Sequence, residues 1–401
     1  MKIGFFTDGY LPQKNGVATS VAEYAQGLQK KGHSVTIIAP KYPRFKDKKN
    51  NVIRLSSINY KKSIGVRLAV YLPEKAFREL LKLDFDVIHG HGDGPVTMLG
   101  WIIAKQKNIP FILSHHTFWN KYTHYLPAGI LIRPRMVEKF TQLFANSCNA
   151  IISPSNMSKK ELESYGVSKP ITVIHHGLDL SNYQKGDTQF LRKKLKIANN
   201  HKILLYVGRL GKEKSVDLLL HAFKKVQQQS PHVSLVVIGD GPQKQDLQHL
   251  AKTLGIAQNT YFIGEIEYSK IPSVFHSADI FVFASKTETL GKVILEAMAA
   301  GLPTVTLNIA PFKELLTNNK EGILVSSNPT AFAKGITTLV QDDVLRKSMG
   351  ENARRKADQF SIEHAVKKIE DIYVKLYELR KKRRITYIIS RVRDFIDVEF
   401  R

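Results

Sequence analysis

Asp279–Leu307 reads "DIFVFASKTETLGKVILEAMAAGLPTVTL". "DIFVFAS" and "PTVTL" are short apolar runs rich in β-branched and aromatic residues, the composition of buried strands. Between them "KVILEAMAA" reads as a helix, and Gly291 breaks the pattern just before it. Strand, loop, helix and strand in that order describe a parallel βαβ unit. Two glutamates, Glu288 and Glu296, fall inside it. On one continuous helix, eight positions at 100° each would leave their side chains about 80° apart, on different faces. The break at Gly291 resolves the conflict. It puts Glu288 in the loop at the strand's carboxyl end and Glu296 on the following helix, with the amides of Thr289, Leu290 and Gly291 open to a ligand.

The same alternation runs through the chain. "KIGFFT", "HSVTIIAP", "DVIHGH", "PFILSHH" and "AIISPS" read as strands of a first unit. "KILLYVGRL", "VSLVVIGDG", "TYFIGEI", "DIFVFAS" and "PTVTL" form a second series. The segments between carry apolar residues at helical spacing, as in "VAEYAQGLQKKG", which closes on Gly32 as a helix end should. The expected fold class is α/β, with two doubly wound domains joined near "VIHHGLDLSNY". Residues 1–177 make the first, 178–365 the second, and the C-terminal segment 366–401 returns to the first as a helix. In open α/β sheets ligands sit beyond the carboxyl ends of the strands, so functional residues are sought there.

The chain has 401 residues, 43% of them hydrophobic and 24% charged, ordinary for a globular protein. No apolar run reaches the roughly 20 residues needed to cross a bilayer. "MKIGFFTDGYLP" is too short in its apolar part for a signal peptide. The single cysteine, Cys148, excludes an intrachain disulfide and a cysteine metal cluster and suits the cytoplasm. The net charge of +25 attracts polyanions: nucleic acid, an anionic membrane face or phosphorylated substrates. Basic residues cluster at Lys41, Arg44, Lys46, Lys48 and Lys49, and again at Arg380–Arg384. "SIGVRLAVYLPEKAFRELLK", from Ser63 to Lys82, is a basic amphipathic segment, read as a helix covering its own sheet or lying on an anionic membrane.

Each half has a glycine-containing turn after its first strand, "TDGYLPQKNGVATSVAEY" and "GRLGKEKSVDLLLHAF". Glycine lets backbone N–H groups approach a phosphate, and the following helix adds its positive end. Neither turn has GxGxxG spacing, which argues against a nicotinamide site. The second turn adds Arg209 and Lys214, two cations beside a helix N-terminus that suit a diphosphate. Together with Glu288 and Glu296, whose carboxylates accept hydrogen bonds from vicinal hydroxyls, the set suits a nucleotide sugar.

"PQKNGVATSV", "SHHTFW", "GRLGKEKSVDLLL", "VIGDGP" and "TETLGKVILEAMAAGLP", in that order, resemble the retaining glycosyltransferases of family 4 over nearly the whole chain. The resemblance implies the GT-B fold, two Rossmann-like domains facing each other across a cleft that closes on the donor. It implies that Gly16 contacts the donor phosphates, Arg209 and Lys214 hold the diphosphate, Glu288 the donor sugar and Glu296 the ribose. The family's active-site histidine maps to His116, with His115 as the neighbouring alternative. The usual paired glycine of the first loop is Asn15-Gly16 here. "HHTFWNKYTHYL" looks most like the bacterial diacylglycerol glucosyltransferases, basic enzymes of the membrane surface. That implies UDP-glucose as donor, diacylglycerol as acceptor and anionic membrane lipids as partners, at the inner face of the cell membrane. No cofactor is implied, and no metal is required, with magnesium at most a stimulant.

Other readings are weaker. "DFD" at Asp84–Asp86 mimics an acidic metal triplet but precedes a strand and reads as its solvated entry. His89 and His91 share a strand face with no third metal ligand evident. His175 and His176 mark the interdomain hinge. The basic C-terminus lacks the aromatic platform of a nucleic-acid site, so no nucleic acid is expected. Three alternatives stand beside this expectation: another family 4 transferase, galactosyl or mannosyl, with a glycolipid or soluble acceptor; a nucleotide-sugar epimerase of the same fold; and a membrane- or nucleic-acid-binding module. Acceptor-independent conversion of the donor marks the epimerase; binding indifferent to Arg209→Ala and Glu296→Ala marks the module.

Overall fold

The computed structural model describes residues 1–13, 15–47, 51–59, 67–69, 74–116 and 133–399; for 68, 74–76, 384 and 387–399 it describes the backbone alone. Two compact units result, Met1–Gly177 with Glu363–Arg401, and Leu178–Ile362.

The first unit contains β1 (Lys2–Thr7), α1 (Gly16–Lys30), β2 (Ser34–Pro40), β3 (Val52–Leu55), β4 (Ser57–Asn59), β5 (Arg67–Ala69) and α2 (Glu74–Lys82). After these come β6 (Val87–His91), α3 (Pro95–Gln106), β7 (Phe111–Ser114), α4 (Pro134–Asn146), β8 (Ala150–Ser153), α5 (Asn156–Ser164) and β9 (Ile171–Val173). Seven strands form one parallel sheet in the order β3-β2-β1-β6-β7-β8-β9. Phe6, Ile38, Ile88, Ile103, Phe111 and Ile151 are fully or almost fully buried in its core. The sequence shows why α1 starts and stops where it does. The Asn15 side chain accepts from the Ala18 amide at 2.8 Å, and past Lys30 the His33 amide bonds back to the Leu28 carbonyl.

The amphipathic segment Ser63–Lys82 is not one helix. Arg67–Ala69 is a strand, paired antiparallel with β4, and among the described residues of the segment only Glu74–Lys82 is helical. The sequence gives a reason for the late start: a proline stands at 73, and residues that precede a proline are disfavoured in helices. Residues 63–66 and 70–73 lie outside the described residues, as do Lys48, Lys49 and 117–126 of the "HHTFWNKYTHYL" run.

The second unit contains α6 (Phe190–Leu195), β10 (Lys202–Val207), α7 (Val216–Gln229), β11 (Val233–Ile238), α8 (Lys244–Thr253), β12 (Thr260–Gly264) and α9 (Ile271–His276). It continues through β13 (Ile280–Phe283), α10 (Lys292–Ala299), β14 (Thr304–Leu307), α11 (Ala310–Leu315), β15 (Gly322–Val325), α12 (Pro329–Gln341) and α13 (Asp343–Ala357). Its sheet is also parallel, in the order β12-β11-β10-β13-β14-β15. Each sheet therefore reverses its winding once, between β1 and β6 in the first and between β10 and β13 in the second. In each sheet the loops leaving that pair of strands open a crevice of the kind where doubly wound sheets bind ligands.

The last helix, α14 (Ile362–Glu399), returns to the first unit. Its Glu370 pairs with Lys31 and with His33 Nε2 at 2.8 Å, and buried Tyr373 lies 2.5 Å from His89 Nδ1. Asp84 and Asp86 flank the entry to β6, where Asp84 pairs with Lys2 and Asp86 accepts from the Lys2 amide.

Candidate active site

In the second unit the loops leaving β10 and β13 are fastened to their neighbours through backbone. Gly208 donates to Ile238 at 3.0 Å, Leu210 to Asp240 at 2.9 Å, and Gln243 to Leu210 at 3.0 Å. The approach is so close that a Cβ on Gly239, whose φ is +128°, would stand 1.9 Å from the Gly208 carbonyl oxygen. Only glycine fits there, which gives "GDGP" its residue type. From beneath, the buried Tyr206 hydroxyl donates to the Arg209 carbonyl at 3.0 Å. The Lys286 amide donates to the Glu213 carbonyl at 3.3 Å and ties the β13 loop to the turn that carries Lys214.

That tie brings two of the predicted residues into contact. Lys214 Nζ donates to Glu288 Oε1, with side chains only 19% and 17% exposed. Burial works to raise the Glu288 pKa, but the Lys214 charge and its hydrogen bond outweigh it and hold the carboxyl below its ordinary range. Glu288 lies in the loop and Glu296, half-buried, on α10. Gly291 caps α10 with a φ of +92°, a conformation costly for any other residue. The amides of Thr289, Leu290 and Gly291 enter no hydrogen bond among the described residues. Arg209 is half-exposed at the end of β10, and α7 begins two residues beyond Lys214, its N-terminus facing the same loop.

In the first unit Gly16 is the first residue of α1, and a Cβ there would meet nothing within 4 Å. His116 follows β7 and is 6% exposed. Its Nε2 lies 3.4 Å from His91 Nδ1 and its Nδ1 3.3 Å from His176 Nε2. His115 instead faces Asp93, 3.3 Å from its Oδ1. His89 and His91 do share a face, with ring centroids 4.0 Å apart. Among the described residues no group of three or more His, Cys, Asp or Glu is arranged to hold a metal ion. Burial first, then the neighbouring imidazoles, holds His91 well below the usual histidine value; burial and His116 hold His89 to about 3. His116 is held to about 4 by burial and His115, against an opposing pull from Asp93.

Sequence reasoning did not single out Asp8, Asp93 or Arg54, which shape this edge. Asp8 accepts from the Val96 amide at 2.9 Å and the Thr97 hydroxyl at 3.0 Å, capping α3; burial raises it to about 6 against those hydrogen bonds. Asp8 follows β1 directly and Asp93 lies two residues past β6, so the carboxyl-end rule alone could have marked them. Arg54 binds Asp47 through Nε at 2.9 Å and Nη2 at 2.7 Å, and donates to the Pro40 and Leu11 carbonyls. Its guanidinium also lies near the Tyr10, Tyr42 and Phe45 rings, so from β3 it joins the loops after β1 and β2.

Residues 14–182 match the profile of glycosyltransferase family 4, and residues 187–356 that of the glycosyl transferases group 1. The chain is 33% identical over 332 residues to the alpha-monoglucosyldiacylglycerol synthase of Streptococcus pneumoniae, spanning 81% of this chain and 75% of that protein. It is 30% identical over 399 residues to the synthase of that name from Acholeplasma laidlawii, spanning 96% and 99%. Among solved structures, Anabaena Alr3699/HepE in complex with UDP and glucose matches with a TM-score of 0.78 at 19% identity, over 94% of this chain and 100% of that one. Sucrose-phosphate synthase from Thermosynechococcus elongatus matches at 0.77 and 19%, over 94% and 99%. Two parallel doubly wound units, a basic and acidic loop pair at the second switch point, and these relatives agree: the chain has the GT-B fold and belongs to the glycosyltransferases of family 4.

Proposed function

We propose that this glycosyltransferase moves glucose from UDP-glucose to the 3-hydroxyl of 1,2-diacylglycerol, retaining the α configuration, while bound peripherally to an anionic membrane surface. The observation that carries the reading is the similarity to two alpha-monoglucosyldiacylglycerol synthases across most of both chains. The +25 charge supports attraction to anionic lipid, and no helix among the described residues is long and apolar enough to cross a membrane.

In this reading Arg209, Lys214 and the N-terminal ends of α7 and α10 stabilise the departing diphosphate, whose charge grows as the glycosidic bond breaks. Glu288 holds the sugar hydroxyls, Glu296 the ribose, and Gly16 lets a phosphate approach the start of α1. The donor's diphosphate competes with Glu288 for Lys214, which frees the carboxylate for hydroxyls as the donor arrives. The bond from C1 to the phosphate oxygen breaks, and the acceptor oxygen bonds to C1 on the same face. The acceptor proton passes to the departing phosphate, so no carboxylate nucleophile is needed. His116 orients a hydroxyl rather than attacking. Cations of the protein face the diphosphate, so no bound metal is required; activity should survive EDTA, with magnesium at most stimulating it.

The test supplies labelled UDP-glucose, UDP-galactose or GDP-mannose to purified protein with diacylglycerol vesicles. A chloroform-soluble labelled product from UDP-glucose is expected. Its absence with all three donors would sink the lipid reading, and product from another donor alone would correct the sugar.

A further inference from the structure

Four polar side chains form a line at the carboxyl edge of the first sheet. Ser20 Oγ on α1 lies 3.3 Å from His176 Nδ1, His176 Nε2 lies 3.3 Å from His116 Nδ1, and His116 Nε2 lies 3.4 Å from His91 Nδ1. Both inner contacts join one imidazole nitrogen to another, so each needs one N–H and one lone pair. A neutral imidazole carries one of each, and the line can be filled in only two ways: Nδ1–H throughout or Nε2–H throughout.

The end of the line decides between them. His91 Nε2 is buried, and no described residue offers it a partner. With Nε2–H throughout, it would be a buried N–H without an acceptor, a rare and costly arrangement. With Nδ1–H throughout, it is a lone pair, which costs less. The three protons then point one way, from His91 to His116, from His116 to His176, and from His176 to the Ser20 hydroxyl.

Neutrality is required for this order and the surroundings supply it. The groups around His116 are His91 of β6, His176 after β9, and His115 and Asp93 of the neighbouring loops. Tyr24 of α1 stacks on His91, and Tyr373 of α14 caps His89. The one carboxylate named here, Asp93, contacts His115. A cation on His116 would be buried against imidazoles on both sides, and burial accordingly depresses its pKa.

We propose that His176 and His91 are positioning residues that fix His116 as an Nδ1–H imidazole, so that His116 presents a lone pair at Nε2 and accepts a hydrogen bond from a substrate hydroxyl. The inference rests on the proposed placement of His116 among the reacting groups. The contact that must open to the hydroxyl, 3.4 Å to His91, is the longest in the line and the weakest, and the hydroxyl oxygen can in turn accept the His91 Nδ1–H that gives up the imidazole.

Two measurements test this. Imidazole 15N shifts of the full chain, assigned among its 14 histidines by single His→Gln variants, separate N–H from lone-pair nitrogens. His116 should show a protonated Nδ1 and a bare Nε2; the reverse overturns the inference. Kinetically, His176→Phe keeps ring volume and removes the acceptor, and should lower kcat about tenfold with donor KM within about twofold, the scale of one lost hydrogen bond. His176→Gln returns a carbonyl oxygen near the Nε2 position and should recover most of that loss. Equal activity of the two variants, or a change confined to KM, refutes the positioning role. If the wild-type chain transfers no sugar the functional reading fails, and the tautomer measurement still decides this one.

Discussion

The ion pair between Lys214 and Glu288 makes the sharpest prediction about the donor side. Lys214→Met keeps most of the apolar stem and leaves Glu288 a largely buried carboxylate with its main partner gone. Breaking a fully buried pair costs about 3–5 kcal/mol. With side chains 19% and 17% exposed, solvent screens part of this, and about 2–3 kcal/mol is the expected cost at pH 7.5. The sign with pH follows from the shift. In the wild type Glu288 is held below its ordinary range, so its contribution is present at neutral pH and lost as pH falls through that depressed value. In Lys214→Met the lowering effect of the lysine goes and burial remains, so the carboxyl titrates higher and the penalty is relieved on protonation. The gap between the two proteins should therefore narrow as pH falls below about 5. Urea unfolding followed by circular dichroism measures it. Adding Glu288→Gln should recover most of the loss in a double-mutant cycle. A cost under about 0.5 kcal/mol at pH 7.5, or a gap that widens in acid, refutes the reasoning.

Three further outcomes are expected. Gly16→Ala meets open space at an ordinary helix start, so stability should hold or rise by up to about 1 kcal/mol while donor KM rises; loss of stability would place the need for glycine in the fold instead. Arg54→Lys cannot reproduce the two-point bond to Asp47 together with the bonds to Pro40 and Leu11, and should cost about 1–3 kcal/mol and raise donor KM. A variant unchanged in both would remove Arg54 as the anchor of the Gly16 loop. Acid should weaken the first unit: His89, His91 and His116 stay neutral when folded while the unfolded chain binds protons below about pH 6.5. Stability should fall between pH 6.5 and 4 with a slope approaching about 4 kcal/mol per pH unit for three protons, and a flat urea midpoint from pH 7 to 5 would contradict the burial argument.

What the sequence made legible follows from burial on two faces. Every strand read from it is covered by helices on both sides or lies beside one that is, so it is a continuous apolar run. In the two parallel sheets the strands it did not reveal, β3, β9 and β15, are edges of three or four residues, partly exposed, and "ITV" or "GILV" is too short to stand out. Glu288 and Glu296 were placed because Gly291 breaks the helix within one βαβ unit, a local signal. The pairing of Glu288 with Lys214 was not, since it spans 74 positions and exists because β10 and β13 are neighbours at the switch point. The line through His176 is hidden more deeply, with partners 60 and 156 residues away.

The two units also divide the chemistry along a physical line. In the second unit, charge is kept at the site by pairing: Glu288 stays ionised because Lys214 compensates it. In the first, burial removes charge: among the described residues at the β6 and β7 ends, imidazoles are packed against imidazoles and held neutral, although the chain as a whole carries +25. A diphosphate is recognised by the first kind of site and a neutral hydroxyl by the second. That contrast makes opposite demands on mutation. Swapping His116 for a permanently charged Lys should damage transfer more than swapping it for Gln, whereas at Arg209 the charge itself is what must be kept, so Arg209→Lys should retain more activity than Arg209→Gln. If both sites tolerated the same class of replacement, the division into an ionic donor site and a neutral hydroxyl site would be wrong.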